Sequence, residues 1–114
     1  MKTIKLPAIS TDGQAFCTQT LNDKEYKFEF HWCETFCIAD IYLAGEEENI
    51  YLIKGYPLVL NIDLIERVKN EDLINGKLYF RNIYDEDTAP EKDTFSTDYE
   101  LVYLENDENL LGED

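Results

Sequence analysis

Basic residues are scarce in this chain of 114. Ten lysines and arginines stand against 25 aspartates and glutamates, a formal net charge of −15. A surface so short of cations repels phosphate backbones, since nucleic-acid binding normally uses lysines and arginines that release condensed counterions. Nucleic acid is therefore not an expected partner. Histidine occurs once, at His31, and no glycine-flanked serine resembles a nucleophile elbow. A Cys33–His31 or Cys37–His31 dyad can be drawn, but no oxyanion-loop glycines lie beside it. Gly-rich phosphate loops are absent too. The many carboxylates fall in loops, where solvated charge is the ordinary explanation. No catalytic residue is assigned, and neither enzymatic activity nor a cofactor is expected. No stretch approaches the roughly 18 apolar residues of a membrane span. Met1–Pro7 carries charge but no apolar h-region, so neither a membrane nor a signal peptide enters the reading. The expectation is a chain kept in the cytoplasm until it is assembled. Cysteines number three, at Cys17, Cys33 and Cys37, and reduced thiols are the default.

What the chain does have is aromatic and apolar material. Eight tyrosines, six phenylalanines and 44% hydrophobic residues favour strands over helices. The acidity is uneven. Residues 1–84 hold 13 acids and nine bases, whereas residues 85–114 hold 12 acids and one base, Lys92. The net charge is thus −4 in the first part and −11 in the second, concentrated in a late loop, the last strand and a tail. Solubility is the plain explanation of such a face; docking on a basic partner is the functional one.

Taken in order, residues 3–9 read as a short edge strand stopped by Pro7. Gln14–Leu21 is a strand, and Asn22-Asp23 a tight hairpin connection. In the next strand Tyr26, Phe28, Phe30 and Trp32 alternate with Lys27, Glu29, His31 and Cys33, so one face is aromatic and the other mostly polar. The aromatic face reads as core and not as a base-stacking platform, because no basic residue interrupts it. Glu34-Thr35 turns the chain into a strand over Phe36–Leu43. Ile50–Ile53 is apolar on both faces, as in a strand covered on both sides. Leu64, Ile65 and Val68 suit one or two turns of helix, with Asn61 or Asp63 as N-cap. Asn75-Gly76 signals a turn, and Lys77–Tyr84 a strand with Leu78, Phe80 and Ile83 inward. Asp85–Asp98 reads as a long exposed acidic loop, Tyr99–Glu105 as the closing strand, and residues 106–114 as an acidic, frayed tail. The expected architecture is one mainly β domain over residues 1–105: a small OB-like antiparallel barrel with one short helix between late strands. A small β-sandwich is the alternative.

One constellation has metal-ligand character, His31-x-Cys33-x-x-x-Cys37. His31 and Cys33 lie two apart on a strand and face the same way, and Cys17 or a carboxylate could complete a set. The tight Cys-x-x-Cys knuckle of structural zinc sites is missing, and no metal is assigned.

Several words of the sequence together resemble the phage baseplate plug family, small OB-fold-like proteins of contractile-tail baseplates. They are Ile4-Lys5-Leu6-Pro7-Ala8, Ala39-Asp40-Ile41-Tyr42, Ile53-Lys54-Gly55-Tyr56-Pro57-Leu58-Val59 with Asp63-Leu64-Ile65, Leu73-Ile74-Asn75-Gly76-Lys77-Leu78, and Glu100-Leu101-Val102-Tyr103-Leu104. The chain departs from the pattern at Leu60, where a glycine is expected, and in its very acidic loop and tail. The resemblance implies a non-enzymatic virion structural component of a phage or prophage tail, placed near hub and spike and touching the baseplate ring. It further implies a symmetric homo-oligomer such as a trimer, and a virion location following assembly in the host cytoplasm. Contacts are then expected at the Gly55–Leu60 turn, above all Gly55, Tyr56, Pro57 and Leu58, and in the loop 85–98, above all Asp85, Glu86 and Asp87. The competing reading is an acidic inhibitor that mimics DNA and binds a nucleic-acid-binding protein. It would need acids spread in rows over the folded surface.

Overall fold

The computed structural model describes residues 2–45, 50–65 and 76–105. In chain order the elements are β1 (Lys2–Lys5), β2 (Gln14–Leu21), β3 (Lys24–Cys33), β4 (Phe36–Leu43), β5 (Ile50–Pro57), β6 (Gly76–Asn82), the four-residue helix α1 (Phe95–Asp98) and β7 (Tyr99–Glu105). They form two antiparallel sheets, one ordered β1-β7-β6 and the other β2-β3-β4-β5. The mainly β expectation holds, while no closed barrel is found among the described residues. β1 is an edge strand, as its length and the following Pro7 predict.

The four-stranded sheet is built by local turn chemistry. Asn22 and Asp23 have φ of 52° and 64°, left-handed values that asparagine and aspartate tolerate and that match the twist of the flanking strands. The turn closes on the pair Leu21↔Lys24 and sets the register to Gln14↔His31. Glu34-Thr35 makes a second two-residue turn between Cys33 and Phe36, with only Glu34 left-handed, at φ of 54°. With register fixed, alternation sends Tyr26, Phe28 and Phe30 inward, all fully buried, with Ala15, Leu21, Cys37, Ala39 and Ile41 beside them.

β5 does not keep simple alternation. Its pairing with β4 slips twice, between Ala39 and Ile41 and between Ile41 and Tyr42. Bulges of this kind place neighbouring residues on one side of a strand, which is why Leu52 and Ile53 are both buried. The apolar run that suggested a strand covered on both faces is therefore explained by irregular pairing, with Ile50 largely exposed. The strand buried along most of its length is β7, where Leu101, Val102, Tyr103 and Leu104 are all inaccessible or nearly so.

The three-stranded sheet contributes Ile4, Leu78, Phe80, Tyr99, Leu101 and Tyr103 to the same buried cluster as β3 and β4. Gly76 opens β6 where only glycine fits, since a Cβ there would stand 2.5 Å from the Leu104 carbonyl oxygen. Beyond Phe80 the inward position falls on Asn82, and Ile83 is 43% exposed. The core assignment of Ile83 was wrong because β6 ends at Asn82 with its parity unbroken.

One flank of β6 is covered by the segment after β5. Leu60 and Asp63 form isolated bridges to Phe80 and Tyr79, and the amides of Asn61 and Leu64 donate to the carbonyls of Phe80 and Leu78, each at 2.8 Å. The Asp63 carboxylate accepts from the amides of Ile65 and Leu78, both at 3.0 Å. Asp63, expected as a helix N-cap, here ties a turn to β6. Residues 61–65 are turn and bridge, not helix, and the remainder of the expected helix, including Val68, lies outside the described residues. So does the tail at 106–114.

The helix that is described, α1, lies inside the stretch expected to be an exposed loop. Its Phe95 is 0% exposed, with its ring centroid 5.4 Å from Phe30 and 6.0 Å from Phe80. A single large aromatic side chain among acids is enough to draw the end of the loop into the core. Phe95→Ala should cost about 3–5 kcal/mol in urea unfolding, the usual range for emptying a buried phenylalanine site. A loss below about 1 kcal/mol would show that this ring does not join loop to core.

Candidate functional site

The segment after β5 is irregular, and one side chain and one backbone hydrogen bond set it up. Gly55 takes φ of 68°, and its amide donates to Asp40 Oδ1 at 2.6 Å. Asp40 thus holds open the bulge that redirects the chain toward Tyr56. Next, the Leu58 amide donates to the Cys37 carbonyl at 2.8 Å, which buries Leu58 and leaves its neighbour Val59 standing out. Val59 is 45% and Ile62 42% exposed. Val59 falls within the Gly55–Leu60 turn where the sequence places contacts, whereas Ile62 lies beyond it. The available signal was the run Pro57–Ile62, too apolar for a surface turn and lacking the alternation of a strand.

Tyr56, Pro57, Val59, Ile62, Asp63 and Leu64 line a shallow recess of about 130 Å³. On the other side of Val59, a more open recess is walled by Leu58–Asn61 and by Asp87, Ala89 and Pro90. The fold therefore brings Leu58 and Asp87, predicted independently, to one place. Asp85 and Glu86 are exposed on the same loop, while Gly55 lines neither recess.

The acidic loop is held at several points. The buried Asn82 side-chain oxygen accepts from the amides of Tyr84 at 2.7 Å and Glu86 at 3.4 Å. The Ile83 amide donates to the Asp98 carbonyl at 2.8 Å, the Tyr99 hydroxyl donates to the Thr88 carbonyl, and Lys92 reaches the Thr11 carbonyl at 3.4 Å. Its carboxylates are consequently presented from a tied frame. An apolar ridge beside fixed negative charge suits docking on a protein surface, with apolar contact for affinity and charge for register.

The His31-Cys33-Cys37 constellation is not assembled. Cys37 is paired with Trp32 and faces the core, whereas His31 and Cys33 lie on the outer face. Instead, the sheet register sets Glu29 directly opposite Asp40 and His31 two residues along, with their ligand-type atoms within 4.8 Å of one another. Burial pushes the Cys37 thiol up to about 12, helped by the nearby Cys33 and opposed by a hydrogen bond involving the His31 backbone. Burial also raises Cys17.

Because the ordinary thiol value is 9.0, the unfolded chain releases the Cys37 proton at lower pH than the folded chain does. The stabilising contribution is complete below about pH 9 and is lost as pH rises toward 12. Urea midpoints should therefore fall between pH 8 and pH 10, and less steeply in Cys37→Ala. Thiol-reagent mapping at pH 8 should label Cys33 well before Cys37; equal rates would contradict the burial of Cys37.

No curated protein matches the chain. Among protein families, the model described as cyanophage baseplate Pam3 plug gp18 matches residues 1–107.

Proposed function

The chain belongs to the phage baseplate plug family, and from that premise we propose that it closes the centre of a contractile-tail baseplate, beside hub and spike. Membership makes it a structural baseplate component, located in the virion tail and in contact with other tail proteins. The observation that carries the finer reading is the apolar ridge of Val59 and Ile62 next to the fixed acidic loop. A plug needs a small rigid body with a mating surface at one end, and this surface offers both apolar contact and a charged rim. Tyr56, Pro57 and Leu58 shape the ridge, Gly55 sets its entry, and Asp85, Glu86 and Asp87 face a basic neighbour. The protein acts by contact, without catalysis, and assembles from the host cytoplasm as a homo-oligomer on the baseplate axis, of which a trimer is the simplest.

The fold that accompanies this role is an OB-like barrel. Two features support that reading: the Leu60–Ile65 segment spans from β5 to β6, and Lys2 Nζ donates to the Thr20 carbonyl at 2.7 Å across the β1/β2 seam. The acidic-inhibitor alternative calls for rows of acids on the strands. The outer face of the four-stranded sheet instead mixes Glu29 and Asp40 with Lys27, which lies over Phe16, and Lys54, which lies over Tyr51.

Mass spectrometry of tails purified from an induced culture should find this chain at a few copies per particle. Val59→Ser with Ile62→Ser should lower incorporation at least tenfold with the melting temperature little changed. Reversing Asp85, Glu86 and Asp87 to lysine should lower it several-fold, more so at low salt. Full incorporation of both variants would remove the docking surface, and absence of the wild-type chain from intact tails would remove the plug role itself.

A further inference from the structure

The outer face of the four-stranded sheet carries a cluster that the docking surface does not use. Glu29 on β3 and Asp40 on β4 are direct cross-strand partners. Two like charges placed so are mutually destabilising unless something positive lies between them. His31, on the same face two residues from Glu29, brings Nε2 to 3.5 Å from Asp40 Oδ2. The lysines on this face are engaged elsewhere, Lys27 over the Phe16 ring and Lys54 over the Tyr51 ring.

The second oxygen of each carboxylate is already held. The Tyr42 hydroxyl donates to Glu29 Oε1 at 2.9 Å, and the Gly55 amide donates to Asp40 Oδ1 at 2.6 Å. Such outer hydrogen bonds orient carboxylates and leave the opposite oxygen for a ligand. Each of the three residues offers one ligand-type atom, an imidazole nitrogen or a carboxylate oxygen, and these lie within 4.8 Å of one another. Ligand atoms bound to one ion at about 2.0–2.2 Å stand roughly 3–3.6 Å apart, so side-chain rotation alone closes the set. His31 is 38% and Asp40 20% exposed, which admits both the ion and the waters that complete its shell.

We propose that Glu29, His31 and Asp40 form a binding site for one divalent transition ion of the zinc class. The imidazole selects such an ion over calcium or magnesium, which take all-oxygen shells. A bound ion ties β3 to β4 and, through Asp40 and the Gly55 amide, to the bulge of β5 that leads into the docking ridge. This is a different ligand set from His31, Cys33 and Cys37, and it does not depend on the baseplate role.

The test is calorimetric titration of the full chain, stripped with EDTA and dialysed, with zinc chloride in the presence of excess calcium to occupy the acidic loop and tail. One-to-one binding is expected. His31→Gln and Asp40→Asn should each weaken it at least tenfold. Both leave a folded sheet by circular dichroism, since asparagine at position 40 still accepts from Gly55. Zinc should raise the melting temperature of the wild type and not that of His31→Gln. Neutralising Asp85, Glu86 and Asp87 to their amides should change nothing, and neither should Cys33→Ser. No saturable binding, or binding that survives His31→Gln, overturns the proposal. Loss of binding in Cys33→Ser overturns it as well, by assigning the ion to a thiol.

Discussion

The ring of Phe95 is the contact on which the arrangement turns. It lies against Phe30 of one sheet and Phe80 of the other, and Phe80 stacks in turn on Tyr99. Through this aromatic chain the two sheets share one interior, and the acidic loop becomes part of the body. Aromatic burial is the largest apolar contribution a chain of this size can make. Here it is spent where the sheets are not joined by a continuous ladder.

Polar side chains supply what the ladders leave out. Asp63 accepts two amides where the chain crosses from β5 to β6, Asp40 accepts the amide of a left-handed glycine, and Asn82 holds the first turn of the loop. Most of these amides belong to irregular backbone that regular pairing does not satisfy, and that of Leu78 lies on the flank of β6 away from β7. The acids of this protein thus divide by job. Among the described residues, Asp40 and Asp63 are structural acceptors at bends, while Asp85, Glu86 and Asp87 are exposed.

Much of the four-stranded sheet was legible in the sequence, because β3 alternates cleanly and Asn22-Asp23 and Glu34-Thr35 leave little freedom of register. The failures share a cause. Ile83 and the Ile50–Ile53 run were judged by local hydrophobicity, whereas parity along β6 and bulges in β5 decided their positions. Phe95 was lost inside an acidic stretch whose average said solvent, although one buried ring outweighs several solvated neighbours. Of the proposed contact surface, the Gly55–Leu60 turn and Asp87 were named from the sequence, while the exposure of Ile62 beside them came from the fold. The pairing of Glu29 with Asp40 was invisible, since it depends on cross-strand register and not on spacing along the chain.

The way the acidic loop is tied has an evolutionary consequence. Its two ends are pinned by Asn82 and by Phe95 with Tyr99, close to one another through the Ile83–Asp98 hydrogen bond. Residues between those pins carry no core side chain, and lengthening a closed loop adds only about 0.6 kcal/mol per doubling. Related chains can therefore insert, delete or recharge this stretch while keeping an unchanged interior. The two-residue hairpins at Asn22-Asp23 and Glu34-Thr35 allow no such freedom. Divergence between relatives that meet different neighbours should accumulate at residues 84–94 and spare the turns.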